Sequence, residues 1–224
     1  MTVLVLTRHG EARCNVEGRL GGPKTCTGLT DSGRRQVGLL ADRLASEHRA
    51  SARHPGPAFD VLYAGPRLRL QESGRILSTA LGLPLLSDPG LDGLDHGQAD
   101  GLLWSDIESA FHGAPHTRPD EQYAPGSDTW LRYLARAAGH LAALIERHRG
   151  QNILIAAHGE TIQAACHLLL EVPPQASAHL VFATGHACMT RFEHRDDRFG
   201  NTSWFLTTHN DTSHLTHLAP QPSG

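Results

Sequence analysis

The 224-residue sequence lacks an excess of either charge sign: 20 Lys and Arg stand against 23 Asp and Glu, for a formal net charge of -3. It therefore carries neither the basic surplus of a nucleic-acid binder nor the acidic block of a solvating tail. Cysteine is scarce. Cys14, Cys26, Cys166 and Cys188 are scattered without a CxxC pair, in a chain too large to need disulfide staples, which predicts reduced thiols and a cytoplasmic location. No basic segment followed by an apolar stretch opens the chain, and no apolar run approaches the roughly 18 residues of a membrane span, so secretion and membrane insertion are not expected. Low-complexity linkers and internal repeats are also missing. Sixteen histidines are present, yet the close pairs, His112/His116 and His214/His217, lack a neighbouring Cys or carboxylate at ligand spacing. Proline inside the first pair also opposes a helical ligand face, so no metal is expected.

What is present is alternation. Residues 2–7 (TVLVLT), 59–63 (FDVLY) and 152–157 (NILIAA) read as short strands separated by helix-like segments. That order predicts an α/β fold, a mainly parallel central sheet covered on both faces, within a chain whose 39% apolar content supports a substantial core. Helices are expected from Thr30 as N-cap, with Val37, Leu40, Ala41 and Leu44 on one face; over 66–81; over about 127–148, opening at Ser127 and Asp128; and from beyond AAHGE (156–160) to Glu171, stopped by Pro173 and Pro174. Residues 87–126 are rich in Gly, Pro, Asp and His, without apolar periodicity, and read as an inserted loop region in one domain spanning 1–224. The last residues, PQPSG, read as frayed.

The chemistry lies at strand ends. The first strand delivers Arg8 and His9 to the edge where open α/β sheets hold ligands, and NILIAA ends likewise on His158, Gly159 and Glu160 before a helix. The strand at 59–63 leads into a helix whose first turn carries Arg67 and Arg69. Crowded guanidiniums repel and lose hydration unless an anion joins them, and their forked donors match phosphate oxygens. The same positive charges disfavour an imidazolium, leaving a ring nitrogen free to attack phosphorus.

This pattern resembles the histidine phosphatase superfamily, also called phosphoglycerate mutase-like, and within it the broad-specificity phosphatases. RHGEARCN (8–15) matches RHGExxxN, LTDSGRRQ (29–36) the following helix start, and AGPRLRLQESG (64–74) the form SSPLxRAxQTA. AHGE (157–160) matches the second histidine motif and NDTSHL (210–215) the terminal strand signature. The resemblance implies a three-layer α/β/α sandwich and a metal-independent, cofactor-free hydrolysis of a small phosphorylated metabolite, with His9 as the phosphohistidine. It further implies Arg8, Arg69 and His158 as the rest of the phosphate pocket, Asn15 and the Gly159 N–H as further phosphate or substrate contacts, and the 87–126 region as its roof. His112, His116, Arg118 and Tyr123 are the roof side chains expected to line the pocket.

Two departures bear on the chemistry. Ala64, Gly65 and Ser73 replace the family's serines and threonine while Arg69 stays in register. In LDGLDHGQADG (91–101), Gly93 stands where the family carries the glutamate that protonates the leaving group. If 91–96 is extended, Asp95 points to the same side as residue 93 and takes that proton-donor role, with His96 in reserve. The alternatives to a phosphatase are a phosphoglycerate mutase-type phosphotransferase, a weakly catalytic phospholigand binder and a natural-product tailoring enzyme. A homodimer is compatible with the sequence, which leaves the oligomeric state open.

Overall fold

The computed structural model describes residues 1–50, 59–111 and 115–216. The PQPSG tail and both His112 and His217 lie outside them. Apolar runs form the inner strands: β1 (Thr2–Arg8), β2 (Val61–Ala64) and β4 (Asn152–Ala157), with a short β3 (Leu85–Ser87) on one flank and β5 (Met189–Asp196) and β6 (Thr202–Asp211) on the other. The sheet order is β3-β2-β4-β1-β5-β6. The first four strands in that order are parallel, whereas β5 runs antiparallel to β1 and β6 antiparallel to β5.

Alternate residues of the central strands feed two separate cores. Val3, Val5, Leu62, Ala64, Leu154 and Ala156 face one side, packed with the apolar stripes of α2 (Asp31–Ala50) and α3 (Leu68–Leu81). Leu4, Leu6, Ile153, Ile155 and Ala157 face the other, packed with α5 (Trp130–Arg147) and α6 (Gly159–Leu169). Burial on both faces explains why these strands are continuous apolar runs. The result is the expected three-layer arrangement, and among the described residues no helix is long and apolar enough to cross a membrane.

Several boundaries differ from the sequence reading. Thr30 does cap α2, its Oγ1 accepting the Gly33 N–H at 2.9 Å. α3 starts at Leu68 with Arg67 as N-cap, because Arg67 is still extended. α5 starts at Trp130, capped by Thr129, which accepts the Arg132 N–H at 3.2 Å, so Ser127 and Asp128 precede the helix. α6 ends at Leu169 rather than Glu171, which has a positive φ of 55°. Residues 87–126 contain 3-10 turns and one helix, α4 (Trp104–Phe111), which buries Ile107 while leaving Trp104 largely exposed. A four-residue helix, α1 (Arg13–Val16), follows the first strand end.

Candidate active site

β1 and β4 are parallel neighbours, with Arg8 opposite Ala157, so both histidines emerge at the same sheet edge. The His9 N–H donates to the Ala157 carbonyl at 3.0 Å, which fixes the first strand end against the second. The imidazoles of His9 and His158 stand edge to face with centroids 5.6 Å apart, and both are buried. Arg69, at the start of α3, bridges them. Its Nε donates to His9 Nε2 at 3.1 Å and its Nη2 lies 3.2 Å from His158 Nδ1, while Nη1 donates to the Gly21 carbonyl at 2.7 Å.

These contacts set the tautomers. His9 Nδ1 lies 2.7 Å from the Gly10 carbonyl and must donate to it, so the lone pair resides on Nε2, on the Arg69 side. His158 accepts from Arg69 at Nδ1, so its proton is on Nε2, and that buried atom has no hydrogen-bond partner among the described residues; neither has Arg8 Nε. Burial holds both rings neutral, with pKa values well below the usual imidazole value, and the neighbouring arginines push further in the same direction. A neutral ring whose Nε2 lone pair is held only by the Arg69 Nε–H, beside further guanidinium and imidazole N–H donors, is a nucleophile placed in an anion-binding setting once an anion draws that donor away.

Arg8 donates to the Thr184 carbonyl at 2.5 Å. Gly159 opens α6 with His158 as N-cap, and a Cβ there would stand 2.7 Å from Thr184 Oγ1, so a larger residue would have to displace the Thr184 hydroxyl. The first turn of α6 thus begins directly after His158, and its N-terminal amides are donors available at that strand end. Asn15 is exposed on α1, its Oδ1 accepting the Ala12 N–H at 3.0 Å and lying 3.1 Å from His186 Nε2. Ser73, where the family carries threonine, keeps a supporting role: its hydroxyl donates to the Arg69 carbonyl at 2.8 Å and accepts from the Gly10 N–H at 3.4 Å.

Arg67 does different work from Arg69. Its three nitrogens bond Asp92 Oδ1 at 2.6 Å, the Gly21 carbonyl at 3.0 Å and the Leu94 carbonyl at 2.7 Å, tying the 92–94 segment to the site floor.

The assignment of Asp95 as proton donor is corrected by the structure. Residues 89–91 and 97–99 are 3-10 turns and His96 is in the αR region, so the segment does not alternate like a strand. Asp95 is exposed, and its Oδ1 accepts the Gly97 N–H at 2.9 Å: it closes a turn. His96 is the residue turned inward, buried with Nδ1 bonded to the Tyr123 hydroxyl. Burial, with the Arg67 charge, pulls its pKa down to about 4, so it has no proton to give near neutral pH. Of the other roof residues, His116 packs on Trp130 at 6.2 Å and Arg118 pairs with Glu121 on the surface.

His186 escaped the sequence reading. Its ring centroid is 5.9 Å from that of His9, and burial with Arg8 and Arg69 nearby pulls its pKa down to about 3. The available signal was a Gly-His pair just before a strand, which gains meaning only once β5 is known to flank β1.

The chain is similar to several known phosphatases. It is 27% identical to the uncharacterized phosphatase PhoE of Bacillus subtilis over 220 residues, covering 96% of this chain and 98% of that protein. It is 26% identical to phosphoserine phosphatase 1 of Hydrogenobacter thermophilus, covering 77% and 78%. Among solved structures, Bacillus stearothermophilus YhfR superposes with a TM-score of 0.75 at 24% identity, covering 96% of this chain and all of that one. Residues 4–207 match the sequence profile of the histidine phosphatase superfamily (branch 1), and the chain belongs to that family.

Proposed function

We propose that the protein hydrolyses a small-molecule phosphate monoester through a phosphohistidine on His9, without a metal. The observation that carries this reading is Arg69 spanning both histidines while Gly10 pins the His9 tautomer with its lone pair on Nε2. The substrate phosphoryl group enters among Arg8, Arg69, His158 and the α6 amides, and their donors turn to its oxygens. His9 Nε2 then displaces the alcohol, and water attacks the phosphohistidine to release inorganic phosphate. Asn15 and His186, bonded to each other at the rim, meet the substrate next to the phosphate. The named relatives, a phosphatase and a phosphoserine phosphatase, support hydrolysis of a small phosphorylated compound. Hydrolysis is favoured over mutase-type transfer because Arg118 is the only basic side chain of residues 87–126, among several acidic residues and histidines, which is a poor lid for an acidic substrate.

A panel of phosphorylated metabolites and p-nitrophenyl phosphate, assayed with EDTA and with vanadate, tests this. Turnover should survive EDTA and be inhibited by vanadate. Activity lost in EDTA and restored by a divalent metal would overturn the metal-free reading, and no turnover of any monoester would leave a phospholigand binder.

A further inference from the structure

The NDTSHL segment at the end of β6 takes no part in the chemistry above, yet its first residue is built into the site. Strand pairing slips there: Met189 lies opposite Asp211 and Arg191 opposite Thr208, so Thr190 stands opposite both His209 and Asn210. One extra residue of this kind is a β-bulge, which re-aims the side chains of the bulged strand. Asn210 takes up the distortion with a φ of 51°, a left-handed value that asparagine tolerates better than most residues. Its N–H donates to the buried Thr190 hydroxyl at 3.4 Å, holding the bulge on β5.

The Asn210 side chain reaches the loop before β5, where its Oδ1 accepts the Gly185 N–H at 2.7 Å. That N–H belongs to the Thr184–Gly185 peptide, whose carbonyl accepts from Arg8 Nη1 at 2.5 Å. In a trans peptide the C=O and N–H point in opposite directions. One planar unit therefore meets Asn210 on one edge and Arg8 on the other. Turned over, it would present an N–H to a guanidinium that offers no acceptor. The Asn210 oxygen thus fixes which way the peptide points.

The following residues tie the same loop to the strand that carries the nucleophile. The Ala187 N–H donates to the His9 carbonyl at 3.1 Å, and the Arg8 N–H to the Cys188 carbonyl at 3.1 Å. His186, just before these ties, lies 3.1 Å from Asn15 Oδ1. Arg8, with Nη1 on Thr184, keeps a buried Nε that has no hydrogen-bond partner among the described residues. We propose that Asn210 is a positioning residue of the phosphate pocket, orienting the Thr184–Gly185 peptide so that the Thr184 carbonyl holds Arg8 with its Nε left to donate to the phosphoryl group. The role of Arg8 in this assignment rests on the phosphatase reading above.

Vanadate, a mimic of the phosphoryl group, probes the pocket with or without turnover. Asn210→Gly removes the acceptor while suiting the positive φ, whereas alanine would add backbone strain. Calorimetric titration should show the glycine variant binding vanadate on the order of tenfold more weakly than wild type, with the urea midpoint little changed. Asn210→Asp, which keeps an acceptor oxygen and tolerates the same φ, should recover most of that affinity. In an Arg8→Ala background, Asn210→Gly should weaken vanadate binding by less than about twofold more, because the residue acts through Arg8. Unchanged affinity in Asn210→Gly, a loss that Asn210→Asp leaves in place, or a full further loss in the Arg8→Ala background would each overturn the proposal. A wild-type protein that binds vanadate yet turns over no monoester would overturn the phosphatase reading alone, with the affinities still deciding the role of Asn210. Absence of vanadate binding by wild type would overturn both.

Discussion

At the scale of single residues, the difference between Arg67 and Arg69 is one of partners rather than position. Arg69 faces two imidazoles, whereas all three Arg67 nitrogens are bonded to the 92–94 segment and Gly21. Arg69→Ala should therefore cost roughly 3 kcal/mol of transition-state stabilisation, on the order of a hundredfold in kcat/KM, with little loss of stability. Arg67→Ala should act the other way, lowering stability by about 3 kcal/mol by stranding Asp92 and the Leu94 carbonyl. Steady-state kinetics beside urea unfolding separates the two, and a kinetic defect confined to Arg67→Ala would mean that the roles are reversed. The pairing of His9, Arg8, Arg69 and His158 was legible because each is tied to a strand end or helix start with a motif around it. Asp95 was misread because a glycine-rich stretch was treated as extended, and only the αR backbone at His96 reveals which side chain turns inward.

At the scale of elements, inner strands and long helices could be read because burial on a defined face imposes periodicity. β3, of three residues, and β6, at the sheet edge and largely half-exposed, carry no such imprint. β5 interleaves buried Met189 and Phe192 with Arg191, Glu193 and Arg195, so its charges mask its pleat. Helix α2 matters to the site through its start: Thr30 caps it and also donates to Glu11 Oε1 at 2.6 Å, joining it to the segment after His9. Thr30→Ala should lower stability by about 1 kcal/mol. The urea midpoint should fall at unchanged slope with kcat nearly preserved, and an unchanged midpoint would show that the cap contributes nothing.

At the scale of the whole molecule, four neutral histidines are gathered at one sheet edge. His9 and His158 have pKa values well below 6.5, His96 about 4 and His186 about 3, burial being the largest cause in each and the arginine charges adding to it. In the unfolded chain all four regain a pKa near 6.5 and bind protons that the folded protein refuses. Stability should accordingly be whole above about pH 6.5 and decline as pH falls below it towards the folded values. Urea unfolding at about pH 7 and about pH 5 should show this decline, and His186→Asn should make it shallower; an equal decline in the variant would assign the acid sensitivity to other groups.

The proposed function depends on a phosphoryl group passing through one imidazole. Rapid quenching of the protein with a phosphate monoester labelled on phosphorus addresses that directly. Wild type should acquire acid-labile, alkali-stable label that decays as inorganic phosphate appears, and His9→Ala, folded as judged by circular dichroism, should acquire none and turn over no substrate. Normal turnover by His9→Ala, or label on a residue other than His9, would contradict the account.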